Sequence, residues 1–410
     1  MSTIKKLLNW KVIALVISTI ILGLFAVYGE RLERLQRVIT LYDKDKIVAN
    51  FLGMRHIFNT TTIAASSQPL KLDHVEQSLP ESFSFDGEDI NVKTFLKQSS
   101  TTGFLVLHNG HIITEEYYLG QRASGQHMSF SMAKSFVSAL FGIAMAEGHI
   151  QSIEQTVTDY VPELKGSGYD GVRIKDVLQM SSGVRFNEDY GDYNSDINRF
   201  SRTVAFGQPL DEFVKTLERE REPGTYHHYV SIDTQVLGMV LTRATGKTLS
   251  AYLQEKIWQP LGMEFAADWI TDDTGMELAL GGLNVSLRDY ARFGQLYLQQ
   301  GQVNGQQLVP AQWVIDSTSA DAPHVMPGEN NPASDSVHGY GYQWWIPLHT
   351  HNVFQAQGIY SQYMRIDREA NSVIVKTSAN YLYNDKSHQW SAKHNALMDA
   401  INAHLILHAH

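Results

Sequence analysis

The sequence predicts an α/β domain of the α+β kind, in which an antiparallel sheet from N- and C-terminal strands is flanked by helices and adjoins a mainly helical lobe. Two β-rich runs surround Asn109-Gly110, a strong hairpin signal. Further β-rich runs come late in the chain, at 339–346, 353–367 and 372–379. A C-terminal helix begins near Ala392, and helical patterns dominate the middle of the chain. Strands at both ends with helices between them predict one shared sheet beside a helical lobe.

Composition narrows the classes of protein to consider. The 410 residues are 43% hydrophobic and 19% charged, which excludes disordered and fibrous classes. Acidic residues number 43 against 33 Lys and Arg, and the net charge of -10 argues against nucleic acid as a partner. The chain has no cysteine, which excludes disulfides, thiolate metal sites and a cysteine nucleophile.

The N-terminus carries an uncharged, apolar run over 12–29, preceded by Lys5, Lys6 and Lys11. As a helix this run extends roughly 27 Å, close to the thickness of a bilayer's hydrocarbon core. No convincing A-x-A cleavage motif follows it. The pattern predicts that 1–29 is a membrane anchor, with a cleaved signal segment and a buried soluble helix as alternatives. Basic residues lie on both sides of the run, so the charge pattern does not indicate an orientation.

Two further parts of the chain follow this segment. Residues 30–75 are polar and mixed, which predicts a stalk or N-terminal extension. The remaining residues, 76–410, are expected to form the main folded domain. A groove between its sheet and its helical lobe is the expected place for the site.

The first motif that carries chemistry is S-x-x-K at Ser131–Lys134, which opens an apolar helical run that Gly148 is suited to end. Ser131 in a first helical turn feels the positive end of the helix dipole, and Lys134 lies on the same face. A desolvated lysine could accept the serine proton. The motif alone leaves open an N-capping serine followed by an exposed lysine. Motifs of α/β-hydrolases, zinc proteases, P-loop and dinucleotide-binding proteins are absent.

A second motif, Tyr229-Val230-Ser231, follows a Pro-Gly turn and precedes an apolar helix that ends at Gly246. A tyrosine and a hydroxyl two residues apart at a loop edge can point into one groove. The phenol can then relay a proton to a leaving group. Taken by itself, Tyr229 could equally be a packing or surface tyrosine.

Together these motifs resemble the serine β-lactamase and penicillin-binding protein superfamily, specifically its class C-like branch with esterases, D,D-peptidases and 6-aminohexanoate-dimer hydrolases. The likeness extends over most of the chain after the N-terminal segment. It consists of ordered segments: the hairpin, S-x-x-K at 131–134, DVLQMSSGVRF at 176–186, FNEDYGDYNSD at 186–196, PGT...YVS at 223–231, GGLNVSLRDYARFGQLYLQQG at 281–301 and GYGYQWW at 339–345.

The resemblance implies a β-lactamase/transpeptidase-like fold and a serine hydrolase. It implies that Ser131 is the nucleophile and that Lys134 and Tyr229 are the general base and acid. The backbone N–H groups of Ser131 and Ile359 are implied as the oxyanion hole. The residues implied to contact substrate are Tyr190, Ser231, Gln357 and Gly358. The resemblance implies no cofactor and no metal, and a small-molecule ester or amide as the partner.

The sequence also departs from the superfamily pattern. The K-T-G strand motif, whose lysine helps to bind a substrate carboxylate, has no literal copy in the expected strand. Ala356-Gln357-Gly358 is the better match by position, since Lys376 comes at the end of the following strand. Replacing that lysine by Ala356 removes a positive charge. Ser231 also stands where class C enzymes usually have Asn.

These departures favour an ester or small amide as the substrate. A β-lactamase or D,D-peptidase is the alternative, and a catalytically silent binding protein on the same fold is a second one. The intact Ser131, Lys134 and Tyr229 argue against the silent protein. By resemblance, the expected location is the cytoplasmic (inner) membrane, reached through the N-terminal helix, with a periplasmic catalytic domain. The sequence does not indicate the oligomeric state or the natural substrate.

Overall fold

The structure is a computed structural model that describes residues 2–408, apart from the side chains of 2–9, 24, 26–28 and 30–32. Within this part of the chain, the strands are β1 Thr60–Ile63, β2 Ser82–Phe85, β3 Glu88–Asn91, β4 Thr101–His108, β5 His111–Tyr117, β6 Gln126–Met128, β7 Ala267–Ile270, β8 Leu283–Ser286, β9 Gln302–Val303, β10 Gln306–Gln307, β11 Gly339–Tyr340, β12 Trp345–Ile346, β13 Val353–Gly358, β14 Gln362–Asp367 and β15 Ser372–Ser378. The helices are α1 Ser2–Ile39, α2 Ile47–Phe51, α3 Val92–Gln98, α4 Ala133–Ala146, α5 Val157–Tyr160, α6 Ile174–Leu178, α7 Asp196–Ala205, α8 Leu210–Val214, α9 Ser231–Thr245, α10 Leu249–Leu253, α11 Leu287–Leu298, α12 Ala311–Ser317 and α13 Trp390–Leu407.

The main sheet has seven strands in the order β11-β12-β13-β14-β15-β4-β5, and its neighbouring strands are antiparallel. The hairpin between β4 and β5 turns at Asn109 and Gly110, whose φ angles are +51° and +82°. Positive φ at both central residues is what a two-residue hairpin turn requires. The C-terminal strand β15 pairs with β4, for example at Val373 and Leu107. This pairing confirms the predicted sheet shared by the two ends of the chain.

Helices cover both faces of this sheet. Leu107 and Val373 lie in the cluster that contains the buried Phe293 of α11. Val106 and Ile374 point to the opposite face and lie in the cluster that contains Leu397, Met398 and Ile401 of α13. Because successive strand residues face opposite sides, a strand covered on both faces is apolar throughout. This explains the uninterrupted apolar runs 104–107 in β4 and 373–375 in β15.

The helical lobe is organised around α9, which packs against α4, α5, α6 and α8. Residues Ser231 to Leu241 of α9 are all buried. The helix ends at Gly246, whose φ of +67° is the left-handed conformation that favours glycine at a helix C-terminus. Gly148 follows α4 in the same way, with φ of +77°. Helix α4 begins after Ser131, and α9 begins after Tyr229, so the lobe places both residues beside the sheet.

The segment predicted to be a stalk, 30–75, instead packs onto the domain. Strand β1 pairs with β7 in a second antiparallel sheet, of order β1-β7-β8-β6. Leu41, Ile47, Phe51 and Ile63 are buried in the same hydrophobic cluster as the catalytic domain. These apolar residues are widely spaced among polar ones, so the composition of the segment conceals its attachment.

Helix α1 contacts the domain near its C-terminal end, where Arg34 Nη1 lies 3.0 Å from Asp273 Oδ1. Among the helices of the described residues, none combines the length and apolarity that crossing a membrane requires. The membrane anchor predicted for 1–29 is therefore not supported by the structure. Part of that prediction, Met1 and the side chains of 2–9, 24 and 26–28, lies outside the described residues.

Candidate active site

Ser131 lies in a short 3-10 turn, Phe130–Met132, that leads directly into α4. Phe130, the residue before it, has a φ of +46°, which is rare for a bulky residue and persists only when the surroundings enforce it. The ring of Phe130 packs against Phe51 and Tyr360, with centroids 5.0 Å and 5.1 Å away. These rings hold the turn, and Ser131 itself remains partly accessible.

Lys134 is one helical turn further along, and its Nζ lies 3.1 Å from Ser131 Oγ. Its amine also donates a hydrogen bond to the carbonyl of Leu280 at 2.6 Å. The side chain is 1% exposed, and this burial lowers the pKa of Lys134 to about 7, against the opposing charges of Glu188 and Asp233. A substantial fraction of the amine is therefore neutral at neutral pH and can accept a proton.

Tyr229 lies close to this pair, in the loop before α9. The Lys134 Nζ is 5.6 Å from the centroid of its ring, and the ring stacks on Trp345 at 5.2 Å. Burial raises the pKa of Tyr229, the charge of Glu188 raises it further, and the hydroxyls of Ser131 and Ser231 oppose the shift. The phenol therefore keeps its proton at neutral pH and is available as a donor.

Strand β13 runs close to the Ser131 turn. A Cβ added to Gly358 would lie 2.7 Å from the carbonyl oxygen of Ser129 and 3.2 Å from the Ser131 nitrogen. Only glycine permits this approach. The chain then reverses into β14 through Tyr360 and Ser361, both with positive φ. Ile359, the residue after Gly358, lines the same cleft as Ser131. An oxyanion hole formed by their N–H groups stays a prediction.

A cleft opens over these groups. Three of the four residues predicted to contact substrate line it, namely Tyr190, Gln357 and Gly358. Ser231 does not line the cleft. It is 1% exposed at the start of α9, and its backbone N–H donates to the carboxylate of Glu188. Helix packing thus buries the hydroxyl that the sequence motif had suggested would face the substrate.

Glu188 is a component of the site that the sequence analysis did not single out. Its carboxylate lines the cleft, and of the charges that raise the pKa of Lys134 it has the largest effect. Burial raises the pKa of Glu188 itself, while Lys134 and the Ser231 N–H lower it. The segment also contains Asp189, Asp192 and Asp196, so no pattern in the sequence separates Glu188 from its acidic neighbours.

Asp233 is the second acidic residue that influences Lys134. It is fully buried in the first turn of α9, where the Tyr169 hydroxyl donates to its carboxyl at 2.6 Å. Burial raises the pKa of Asp233 to about 8. The carboxyl is therefore largely uncharged at neutral pH, and Glu188 remains the main acidic influence on Lys134.

The cleft lacks the basic residue that the superfamily uses to bind a carboxylate. Ala356 occupies the expected position on β13 and is buried. Lys376 lies on β15 and is fully buried, with its amine bonded to Ser378. None of the described residues that line the cleft is Lys, Arg or His. Trp345 lines it and Trp344 is buried, as the alternation of a strand predicts.

Comparison with known proteins shows the family to which the chain belongs. The sequence profile of the Beta-lactamase family matches residues 91–396, which is most of the chain. The chain belongs to the β-lactamase family. A 6-aminohexanoate-dimer hydrolase from Paenarthrobacter ureafaciens is 32% identical to it over 291 residues, covering 69% of this chain and 74% of that protein.

Solved structures of proteins similar to this chain show the same fold. A Bacillus anthracis protein assigned as a 6-aminohexanoate-dimer hydrolase superposes with a TM-score of 0.79 at 27% identity, covering 89% of this chain and 96% of that one. A family VIII carboxylesterase superposes with a TM-score of 0.53 at 14% identity, covering 70% and 91% of the two chains, which shows the fold alone. The predicted fold and superfamily are confirmed, and the protein is a hydrolase of the serine β-lactamase-like family.

Proposed function

We propose that the protein cleaves an ester or a small amide through an acyl-enzyme on Ser131. The observation that carries this proposal is the Lys134 Nζ, 3.1 Å from Ser131 Oγ, in surroundings that lower the pKa of the amine to about 7. A nucleophilic serine needs an adjacent base that is neutral at the working pH. Lys134 meets both conditions, and Tyr229 supplies a protonated phenol in the same cleft as the serine.

In the first half-reaction Lys134 accepts the Ser131 proton while Oγ attacks the carbonyl carbon. The negative charge that develops on the carbonyl oxygen is stabilised by the N–H groups of Ser131 and Ile359. Tyr229 donates a proton to the leaving oxygen or nitrogen as its bond to the carbonyl carbon breaks, and it recovers a proton from Lys134. The product is an ester between Ser131 and the acyl group.

In the second half-reaction a water molecule takes the place of the leaving group. Lys134, neutral again, removes its proton, the hydroxide attacks the acyl carbon, and the bond to Ser131 Oγ breaks as Lys134 returns the proton to the serine. Tyr190, Gln357 and Gly358 contact the substrate from the walls of the cleft. Tyr190, which lines the cleft, would contact the leaving nitrogen of an amide, as the family resemblance implies.

A β-lactamase or D,D-peptidase is the alternative activity. Substrates of both kinds carry a carboxylate, which a lysine or arginine in the cleft stabilises by charge-assisted hydrogen bonds. The described lining of the cleft holds no such cation and includes the carboxylate of Glu188. The charge of the cleft therefore favours an ester or amide without a carboxylate near the bond that breaks.

The decisive experiment compares the wild-type protein with Ser131→Ala on p-nitrophenyl acetate, p-nitrophenyl butyrate and nitrocefin. Burst and steady-state release are followed, since accumulation of an acyl-enzyme gives a burst. Ser319→Ala is the matched control, because Ser319 is exposed on a surface turn away from the cleft and bonds only to the backbone of Ile315.

We expect ester hydrolysis that Ser131→Ala abolishes and Ser319→Ala preserves, with little nitrocefin turnover. Rapid nitrocefin turnover that depends on Ser131 would replace the proposal with the β-lactamase alternative. Equal and negligible rates in all three proteins would favour a silent binding protein and remove Ser131 from its proposed role.

A further inference from the structure

A second, apolar cavity of about 200 Å³ adjoins Ser131 on the side away from Tyr229. Ser131, Tyr190, Ile359, Tyr360 and Tyr383 border both this cavity and the cleft, so the nucleophile lies where the two meet. A substrate whose carbonyl is held at Ser131 therefore has one arm in each space. The two parts of the substrate therefore contact side chains of different polarity.

The walls of the cavity come from parts of the chain that are distant in sequence. The segment 38–58, which precedes the family match, supplies Leu41, Met54 and Phe58, and helix α7 supplies Ile197, Phe200 and Val204. Five of these six side chains are less than 9% exposed, and the sixth, Phe58, is partly exposed. The N-terminal extension thus completes a cavity that the catalytic domain alone leaves open.

The cavity contains no charge. Its described lining includes no Asp, Glu, Lys, Arg or His, and its few polar groups belong to Ser, Asn and Tyr side chains. A charged group placed there would lose its hydration without gaining a partner, which is strongly unfavourable. A hydrocarbon chain would gain free energy for each methylene removed from water.

The position of the proposed general acid, Tyr229, indicates which part of the substrate lies in the cleft and which lies in the cavity. Tyr229 borders the cleft and not the cavity. A leaving group must lie beside the residue that protonates it, so it occupies the cleft. We propose that the apolar cavity walled by segment 38–58 and α7 holds the acyl chain of the substrate, and that this chain is an uncharged, medium-length hydrocarbon.

This inference rests on the proposed function and adds the substrate class. It also separates this protein from an enzyme for 6-aminohexanoyl groups, because the acyl chain of that substrate ends in an ammonium group. The cavity offers no carboxylate for such a group. The expected substrates are fatty-acyl esters or amides with a small polar leaving group.

The test measures kcat/KM of the full chain on p-nitrophenyl acetate, butyrate, hexanoate and octanoate, which share one leaving group. We expect a rise of about fourfold for each methylene that enters the cavity. Ethyl-, butyl- and hexylboronic acid provide a parallel series of inhibitors that bind without turnover, and their inhibition constants should fall in the same way.

Two neighbouring residues give a matched pair of variants. Val38 borders the cavity, whereas Ile39 is 71% exposed. Val38→Trp fills the cavity and should remove the gain from longer chains, so that kcat/KM for the octanoate ester falls toward that for the acetate ester. Ile39→Trp adds the same side chain to the same helix turn and should leave the whole series unchanged.

The outcomes separate the two proposals. Ser131-dependent hydrolysis that does not rise with chain length, or that Val38→Trp and Ile39→Trp alter equally, overturns the acyl-chain inference and leaves the proposed function intact. Absence of any Ser131-dependent hydrolysis contradicts the proposed function. In that case a boronic acid series that tightens with length in wild type and not in Val38→Trp still supports an apolar chain in the cavity.

Discussion

The ring of Phe51 lies 5.0 Å, centroid to centroid, from the ring of Phe130, the residue that precedes the nucleophile. Phe51 belongs to the N-terminal extension and is fully buried. It also lies 5.0 Å from Tyr360, which follows Ile359, the proposed oxyanion residue. One side chain of the extension therefore supports both backbone segments that meet at the carbonyl of the substrate.

We predict that Phe51→Ala lowers the free energy of unfolding by about 3–5 kcal/mol, because it removes a fully buried ring and leaves a cavity. Ester hydrolysis should fall as well, since the Phe130 turn loses the packing that enforces its positive φ. Urea denaturation measures the first effect. Ile39→Ala, at an exposed position, should change stability by less than about 0.5 kcal/mol.

The rate of hydrolysis should depend on pH through Lys134. Its pKa of about 7 means that the amine is neutral above this pH and charged below it. A base must be neutral, so kcat/KM should be constant at high pH and fall as the pH decreases through about 7. A pH profile that stays flat from 5 to 9 would exclude Lys134 as the base.

A substitution of Lys134 that keeps a basic side chain tests whether this residue must lose its proton. Lys134→Arg introduces a guanidinium that does not lose its proton in proteins, so it cannot act as a base. Hydrolysis should fall by about 100-fold or more at every pH. Lys165→Arg, at an exposed lysine, is the matched control and should retain wild-type rates.

Glu188 should affect the pH at which kcat/KM falls on the acidic side of the pH profile, which we call the acidic limb. Its negative charge stabilises the ammonium of Lys134 and so raises the pKa of that group. Glu188→Gln removes the charge, and the limb should move to lower pH. Glu222→Gln, at an exposed position outside the cleft, is the control and should leave the limb in place. A shift to higher pH in Glu188→Gln would contradict this role.

The parts of the site that local spacing determines could be predicted from the sequence. Ser131 and Lys134 are three residues apart on one helical face, and the structure brings them within 3.1 Å. Their proximity needs no knowledge of the rest of the chain. The hairpin at Asn109-Gly110 is predictable for the same reason, because its turn chemistry is local.

The parts that depend on burial could not be predicted in this way. Glu188 accepts a hydrogen bond from the N–H of Ser231, 43 residues further along, and nothing in its own segment marks it. The extension was expected to be a stalk because it is mostly polar, although Leu41 and Phe51 are buried against the domain. Contacts of this kind arise from tertiary packing, which periodicity and composition do not encode.

The contribution of Tyr229 should depend on the leaving group. A p-nitrophenolate ion leaves readily without a proton, whereas an ethoxide ion requires one. Tyr229→Phe should therefore reduce the hydrolysis of ethyl butyrate much more than that of p-nitrophenyl butyrate. Tyr226→Phe is the control, because Tyr226 lies in the same loop but bonds to Asp335. Equal losses on both esters would show that Tyr229 does not act as the general acid.

Gly358 tests the oxyanion hole without removing a functional side chain. In Gly358→Ala the added Cβ would lie 2.7 Å from Ser129 O and 3.0 Å from Phe130 Cβ, so β13 must move away from the turn. The movement separates the N–H groups of Ser131 and Ile359. Loss of one oxyanion donor typically lowers kcat by about 100-fold or more, and we predict a loss of this size.

The matched substitution is Gly328→Ala, because a Cβ at Gly328 has its nearest neighbour, Asn331 Cβ, at 3.9 Å. This variant should keep wild-type kcat. Thermal denaturation of both variants distinguishes a displaced strand from an unfolded protein. A folded Gly358→Ala protein with undiminished kcat would mean that the oxyanion is stabilised elsewhere, since the strand cannot keep its present distance from Ser131 with a methyl group between them.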